Sequence, residues 1–438
     1  MACIDQTANS AEMAAEIGRQ AKIFRGATQA FVWFTKHTVA TINSVLETMT
    51  TFHTRAAADP SAVDGKMNGA WRDLGIIDSV IDDPWFTSLW TLQEAFLRQD
   101  ALLLTQEGKP WPNGELSYLV SLKDLMGLLE PLANDARYNE HQNAMEPDAC
   151  REMAESLDRS GLISLTVNNP IALLSVAQNR KTGPDNTADR VYGIMQVFDL
   201  RLGKSRPGVD SARQFRLEEL EDELGIALMT SYPVVSQLFV YNEAPAPGKG
   251  WRMGPTARIA YYLKEGVYED TKDPVNSCVN LTQLSTELVG STLWGRFEGP
   301  TCSVTSLYSV WEMLESARIT PVSIALDYTT ERRDRVLTRN ILPVMKHVAD
   351  TYNDARILYL GYTLQGAGDD RRPGHAVGLI ILPYQAPTGR GGVEKWKRIG
   401  ICSWSLEWKT CLYNVTEETT AFMMGQGDRW TTERGLFG

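Results

Sequence analysis

Two short apolar runs constrain the fold of this chain most. Ala30-Phe31-Val32-Trp33-Phe34 and Ala101-Leu102-Leu103-Leu104-Thr105 are too short for helices and rich in β-branched, aromatic or leucine side chains, so both read as buried strands. Helix-patterned sequence lies before and between them. Ala2-Cys3-Ile4 is a short apolar stub, after which Asn9 and Glu12 have capping-box spacing. Met13, Ile17, Ala21 and Phe24 then fall on one helical face, with Gly26 as a stop. Residues 35–81 read as mostly helical, punctuated by Asp59-Pro60 and Gly65. A further helix is expected from Asp83-Pro84, where aspartate caps and proline fits the first turn, with Trp85, Leu89, Leu92 and Phe96 on one face. Strand, helix, strand, helix, strand predicts a parallel α/β layer.

Beyond residue 110 the pattern changes. From about residue 115 to 240 it is helical; Leu217, Leu220, Leu224 and Leu228 line one face, and Glu218, Glu219, Glu221, Asp222 and Glu223 form an acidic face expected in solvent. Ala244-Pro245-Ala246-Pro247-Gly248-Lys249-Gly250 is the expected linker. After it, apolar runs at 322–326, 357–360, 377–382 and 399–404 alternate with helical stretches around 306–317 and 338–351, an α+β pattern. The expected organisation is an α/β region over 1–110, a helical region over 111–243 and an α+β region over 250–438.

Composition narrows the function. A net charge of −11 disfavours a protein that neutralises nucleic-acid phosphates, so no nucleic-acid partner is expected. The apolar runs are too short to span a bilayer, and no basic segment followed by an apolar core opens the chain, so a cytosolic location is expected. The six cysteines show no CxxC pairing and the five histidines no ligand spacing, so neither a disulfide framework nor a metal site is expected.

Three blocks resemble motifs of the fungal heterokaryon-incompatibility (HET) family, in the family's order. The first is Cys3-Ile4-Asp5-Gln6, then Glu12, Ile23-Phe24, Ala27 and Val32-Trp33. It resembles a strand ending Cys-Ile-Asn-Gln, an amphipathic helix and a strand ending Val-Trp-Leu-Gly, with Asp5 in place of asparagine and Phe34 in place of leucine. Pro84-Trp85-Phe86-Thr87-Ser88-Leu89-Trp90-Thr91-Leu92-Gln93-Glu94 is similar to the family's Trp-Phe-x-Arg-x-Trp-Thr-x-Gln-Glu helix, with Ser88 where arginine is frequent. Asn179-Arg180 and Asp189-Arg190-Val191-Tyr192-Gly193-Ile194 look like its downstream Arg and Asp-Arg-Val-Tyr-Gly segment. The family's opening Leu-Ser-Tyr-x-Trp-Gly block has no counterpart, so an N-terminally truncated domain is expected. The resemblance implies an intracellular protein of non-self recognition and programmed cell death that acts through protein partners or self-association.

HET domains have been likened to TIR domains, which implies a partial TIR-like or flavodoxin-like parallel sheet. Enzymatic TIR domains cleave NAD with a glutamate on a helix patterned Ser-x-Trp-Cys-x-x-Glu. Ser88, Trp90 and Glu94 keep that spacing, with Thr91 replacing cysteine. The resemblance thus implies Glu94 as catalytic residue, Ser88 and Trp90 beside it, NAD as a substrate and no bound cofactor. Trp90 and Glu94 share a helical face, where a partly desolvated carboxylate has a raised pKa and suits base work or stabilisation of a cation. The competing reading makes this a core helix whose glutamate pairs with an arginine or caps a loop. Asp5 and Gln6 follow a strand where α/β sheets bind ligands, although they also suit a turn and a helix cap. An interaction module without catalysis and an inactive fragment are the alternatives. A further one is a cysteine hydrolase, because Cys302 precedes a helical run and Gly374-His375-Ala376 enters a strand; a buried thiol and a loop histidine explain the same residues.

Overall fold

The structure, a computed structural model, describes residues 16–58, 81–111, 119–141, 147–166, 170–177, 180–182, 187–210, 213–259, 278–316, 322–328, 341–365, 371–384, 393–406 and 416–438. The chain divides into two compact units, Met1–Leu220 and Glu221–Gly438. The helical stretch after residue 110 thus groups with the N-terminal region.

In the first unit, α1 (Gln20–Gly26) leads to β1 (Phe31–Trp33), α2 (Val39–Ala58), α3 (Pro84–Thr87), α4 (Leu89–Leu97) and β2 (Leu102–Leu104). β1 and β2 pair in parallel, with Val32 opposite Leu103. The fully buried strand expected at 30–34 is only half covered: Val32 is buried, whereas Phe31 is 52% and Trp33 50% exposed. Side chains alternate along a strand, so one face carries Val32 and Leu103 into the core and the other carries Phe31 and Trp33 outward. The stub at 2–4 and the cap at Asn9 lie outside the described residues.

Five helices follow: α5 (Leu122–His141), α6 (Pro147–Ser160), α7 (Leu162–Thr166), α8 (Pro170–Ala177) and α9 (Asp189–Met195). α5 packs on α6 and α7 through buried Leu125, Leu129, Leu132, Met153, Leu157 and Leu162, an apolar stripe at three- and four-residue spacing. A 3-10 turn, Gln196–Phe198, continues α9. α10 (Leu217–Ser231) runs through the unit boundary.

The second unit is built on one mixed sheet. It contains β5 (Cys278–Asn280), β6 (Gln283–Val289), β7 (Thr292–Ser303), β8 (Val322–Leu326), β9 (Arg356–Gln365), β10 (Arg372–Pro383), β11 (Lys395–Ser405) and β12 (Thr431–Phe437), with α11 (Val304–Ser316), α12 (Ile341–Thr351) and α13 (Glu417–Met423) between them. A separate short pair, β3 (Val240–Tyr241) and β4 (Ala257–Arg258), precedes it. The strands run in the order β5-β9-β10-β11-β12-β7-β6, and β7 also pairs with β9. Strands β9, β10, β11, β12 and β7 therefore form a closed ring. Cys302, Ile357, Tyr359, Ile380, Cys402 and Trp404 pack with Trp311 of α11, Val348 of α12 and Phe422 of α13. All four apolar runs expected after residue 250 are strands.

Gly361 of β9 has φ +151°, and a Cβ there would overlap the Val279 carbonyl oxygen of β5. Gly361→Ala is expected to peel β5 off the sheet at a cost of about 2 kcal/mol. Thermal melting checks the loss, and faster hydrogen exchange confined to residues 278–282 checks its location.

Two expectations for this unit are overturned by one cluster. Residues 244–250 are no linker: Lys249 is buried, and its Nζ lies 2.5 Å from Asp222 Oδ2. Arg252, also buried, reaches Asp222 Oδ1 at 2.6 Å and Glu221 Oε2 at 2.7 Å. Two carboxylates of the supposed solvated face of α10 are thus neutralised by one cation of the Pro/Gly-rich segment, Lys249, and one just after it, Arg252. Charges removed from water require such pairing.

Candidate functional site

The site is built around the segment 83–94. Asp83 is fully buried and caps α3, its Oδ1 accepting from the Trp85 N–H at 3.0 Å. Its Oδ2 accepts the N–H groups of Thr35 at 2.8 Å and Lys36 at 3.0 Å, just past the C-terminal end of β1. His37 Nε2 lies 4.0 Å from the same oxygen. The end of a parallel strand presents free backbone N–H groups, which is why such edges attract anions. Here the chain's own carboxylate fills that position. Phe34, wholly buried, packs beneath it against Phe86 (ring centroids 5.2 Å) and Trp111 (5.1 Å).

The single helix expected from Pro84 is broken. Ser88 is extended (φ −76°, ψ 138°), separating α3 from α4. The break is held from outside. Lys181 N–H donates to the Thr87 carbonyl at 2.7 Å and Leu89 N–H to the Lys181 carbonyl at 3.2 Å. The buried Arg180 guanidinium donates to the carbonyls of Trp85 and Ser88 at 3.2 Å each, and to that of Ser160. Burial lowers its pKa to about 9. Thr91 Oγ1 also donates to the Trp85 and Ser88 carbonyls. Arg180 thus satisfies carbonyls that a helix C-terminus leaves open. The third motif block supports the second.

Within α4, Leu89 and Leu92 are buried and Trp90 and Glu94 are half-buried, as the helical spacing predicts. Leu89 sits beneath Gly193 of α9, where an added Cβ would lie 3.0 Å from Leu89 Cγ; the glycine lets the two helices approach. The Trp90 indole N–H donates to Asp189 Oδ2 at 3.2 Å. Desolvation raises the Asp189 pKa, and the indole bond offsets part of that rise.

Gln93 and Glu94 divide the labour of the motif. Gln93 is buried; its amide donates to Gln20 Oε1 at 2.8 Å, and its own Oε1 accepts the Gln196 N–H at 3.2 Å. It ties α4 to α1 and to the turn after α9. The Glu94 carboxyl group makes no hydrogen bond or ion pair among the described residues. Burial alone raises its pKa from 4.5 to about 7. A carboxyl group poised there exchanges a proton at neutral pH and, when ionised, stabilises a nearby cation. Neither Glu94, Trp90 nor Ser88 lines a cavity of about 450 Å³ beside α1, walled by Gly18, Lys22, Arg25 and Arg201.

Asp5 and Gln6 lie outside the described residues. Cys302 and His375 do not form a pair. Cys302 faces Ile357, which faces Ile380 on β10; His375 is five residues farther along that strand, roughly 16 Å. The Cys302 thiol is buried, which pushes its pKa well up and leaves it a core side chain. Among the described residues no group of His, Cys, Asp and Glu suits a metal ion, and no helix is long and apolar enough to cross a membrane. Sequence reasoning missed the roles of Asp83 towards β1, of Arg180 towards α3 and of Gln93 as a clamp; the signal for the first was an acid at a helix start close after a strand.

An α/β unit with a parallel strand pair, whose Trp-Thr-x-Gln-Glu helix is buttressed by an Asp-Arg-Val-Tyr-Gly helix, defines the class. The family model described as "Heterokaryon incompatibility protein (HET)" matches residues 1–94, ending at Glu94, so this part of the chain is similar to a HET domain. Arg180 and Asp189 lie beyond the matched residues. No curated protein and no solved structure matched the chain significantly.

Proposed function

We propose that this protein is an intracellular effector of non-self recognition whose action ends in cell death, with the first unit as effector and protein partners or self-association as trigger. The observation that carries the reading is the HET match over residues 1–94, supported by the interlock of α3, α4, Arg180 and α9, which treats the motif blocks as one working unit. The test is induced expression of the full chain in a filamentous fungal host, scored by a vital dye. Hyphal death is the expected result; abundant folded protein without loss of viability, alone or after fusion with an incompatible strain, overturns the proposal.

One observation favours a second, enzymatic layer. Among the described residues, Glu94 alone of the motif's polar side chains has its proton equilibrium moved into the neutral range with no partner for its carboxyl group. In this reading Glu94 stabilises the cationic ribosyl centre formed when the nicotinamide bond of NAD breaks, and the TIR-like comparison belongs to the same reading. Purified protein should then release nicotinamide from NAD. If it releases none while hyphae still die, the protein works by assembly. Death should then survive Glu94→Gln and be lost on replacing the exposed Phe31 and Trp33 by serine.

A further inference from the structure

We propose that the cavity between α1 and the turn at 196–201 binds a compact oligophosphate anion. It is an open concavity of about 450 Å³, in the range of small-molecule sites. Its walls combine two features. Gly18, Ala21 and Gly26 contribute almost no side chain, which opens the space. Lys22, Arg25 and Arg201 surround that space, with Asp199 as the acidic lining residue.

Arg25 pairs with Asp199 at 2.5 Å, both largely exposed. Lys22 and Arg201 have no acidic partner among the described residues. The cavity therefore carries three cations against one carboxylate, a local charge of +2 in a chain of net charge −11. A concave surface focuses such a field on anions. An exposed ion pair contributes little, so Arg25 can turn to a bound anion at small cost.

The lining also states what the ligand lacks. No aromatic or large aliphatic side chain faces the cavity, so a nucleobase finds nothing to stack on. Gln196 is already engaged: its N–H bonds Gln93 and its amide the Leu200 carbonyl at 2.6 Å. Charge, rather than ring recognition, is what these walls offer.

Calorimetric titration of the full chain with sodium tripolyphosphate tests the proposal. One-to-one binding is expected, weakening as salt rises. Lys22→Glu with Arg201→Glu, both at exposed positions, should lower affinity at least ~10-fold. Gly26→Leu should do the same without a charge change, because a Cβ at Gly26 meets nothing within 4 Å and points into open space. ATP should bind no more tightly than tripolyphosphate. Absence of binding, binding that survives both variants, or a preference of ~10-fold or more for ATP each overturns the proposal.

Discussion

Asp83→Ala should destabilise the first unit by about 3 kcal/mol, because a buried carboxylate that accepts from three part-buried backbone N–H groups is lost. Loss of the cap frees the start of α3, and loss of the bonds to Thr35 and Lys36 frees the end of β1. Asp83→Asn should recover part of the loss: its one oxygen can still accept, but its NH2 faces donors. Scanning calorimetry with hydrogen exchange checks this. Protection should fall in residues 31–37 and 84–97 and persist in β9 to β11. Unchanged protection at the end of β1 would refute the proposed bridge between strand and helix.

Glu94→Gln should stabilise the fold above neutral pH and, on the enzymatic reading proposed above, lower NAD cleavage at least ~100-fold in kcat. The sign follows from the direction of the shift. Folding raises the Glu94 pKa from 4.5 to about 7, so it disfavours the ionised form. The penalty is absent below pH 4.5, grows as pH rises through this window and is complete above 7. Partial exposure reduces it to about 2 kcal/mol at pH 8. The variant and the parent should therefore melt together at pH 4 and diverge at pH 8. A glutamate serving only as packing would show the divergence without turnover in either protein. One engaged with a cation would show the variant less stable at pH 8.

Where structure rests on local spacing, the sequence pattern agrees with the fold. The Asp83 cap, the parallel pair of strands, the shared face of Trp90 and Glu94 and the strands after residue 320 all follow from short-range rules. The departures have a common cause: a distant residue overrides a local preference. Arg180, about ninety residues away in sequence, stabilises the break at Ser88 in a segment whose own pattern is one continuous helix. Lys249 and Arg252 draw Glu221 and Asp222 inward from a face whose composition reads as solvated. The same two cations convert a Pro/Gly-rich stretch from spacer to packed turn. Glu94 is legible as a candidate from its motif, but whether its carboxyl group finds a partner depends on every neighbouring element and cannot be read from its own helix; among the described residues it finds none.

The ring of strands in the second unit has a consequence for folding speed. β12 must pair with β7, some hundred and thirty residues earlier in the chain, and with the start of β11. Until that distant pairing forms, two strands stand with bare edges and the barrel cannot shut. Closure over so long a span should make this unit fold more slowly than a sheet built of neighbouring hairpins, and leave its open form prone to clumping.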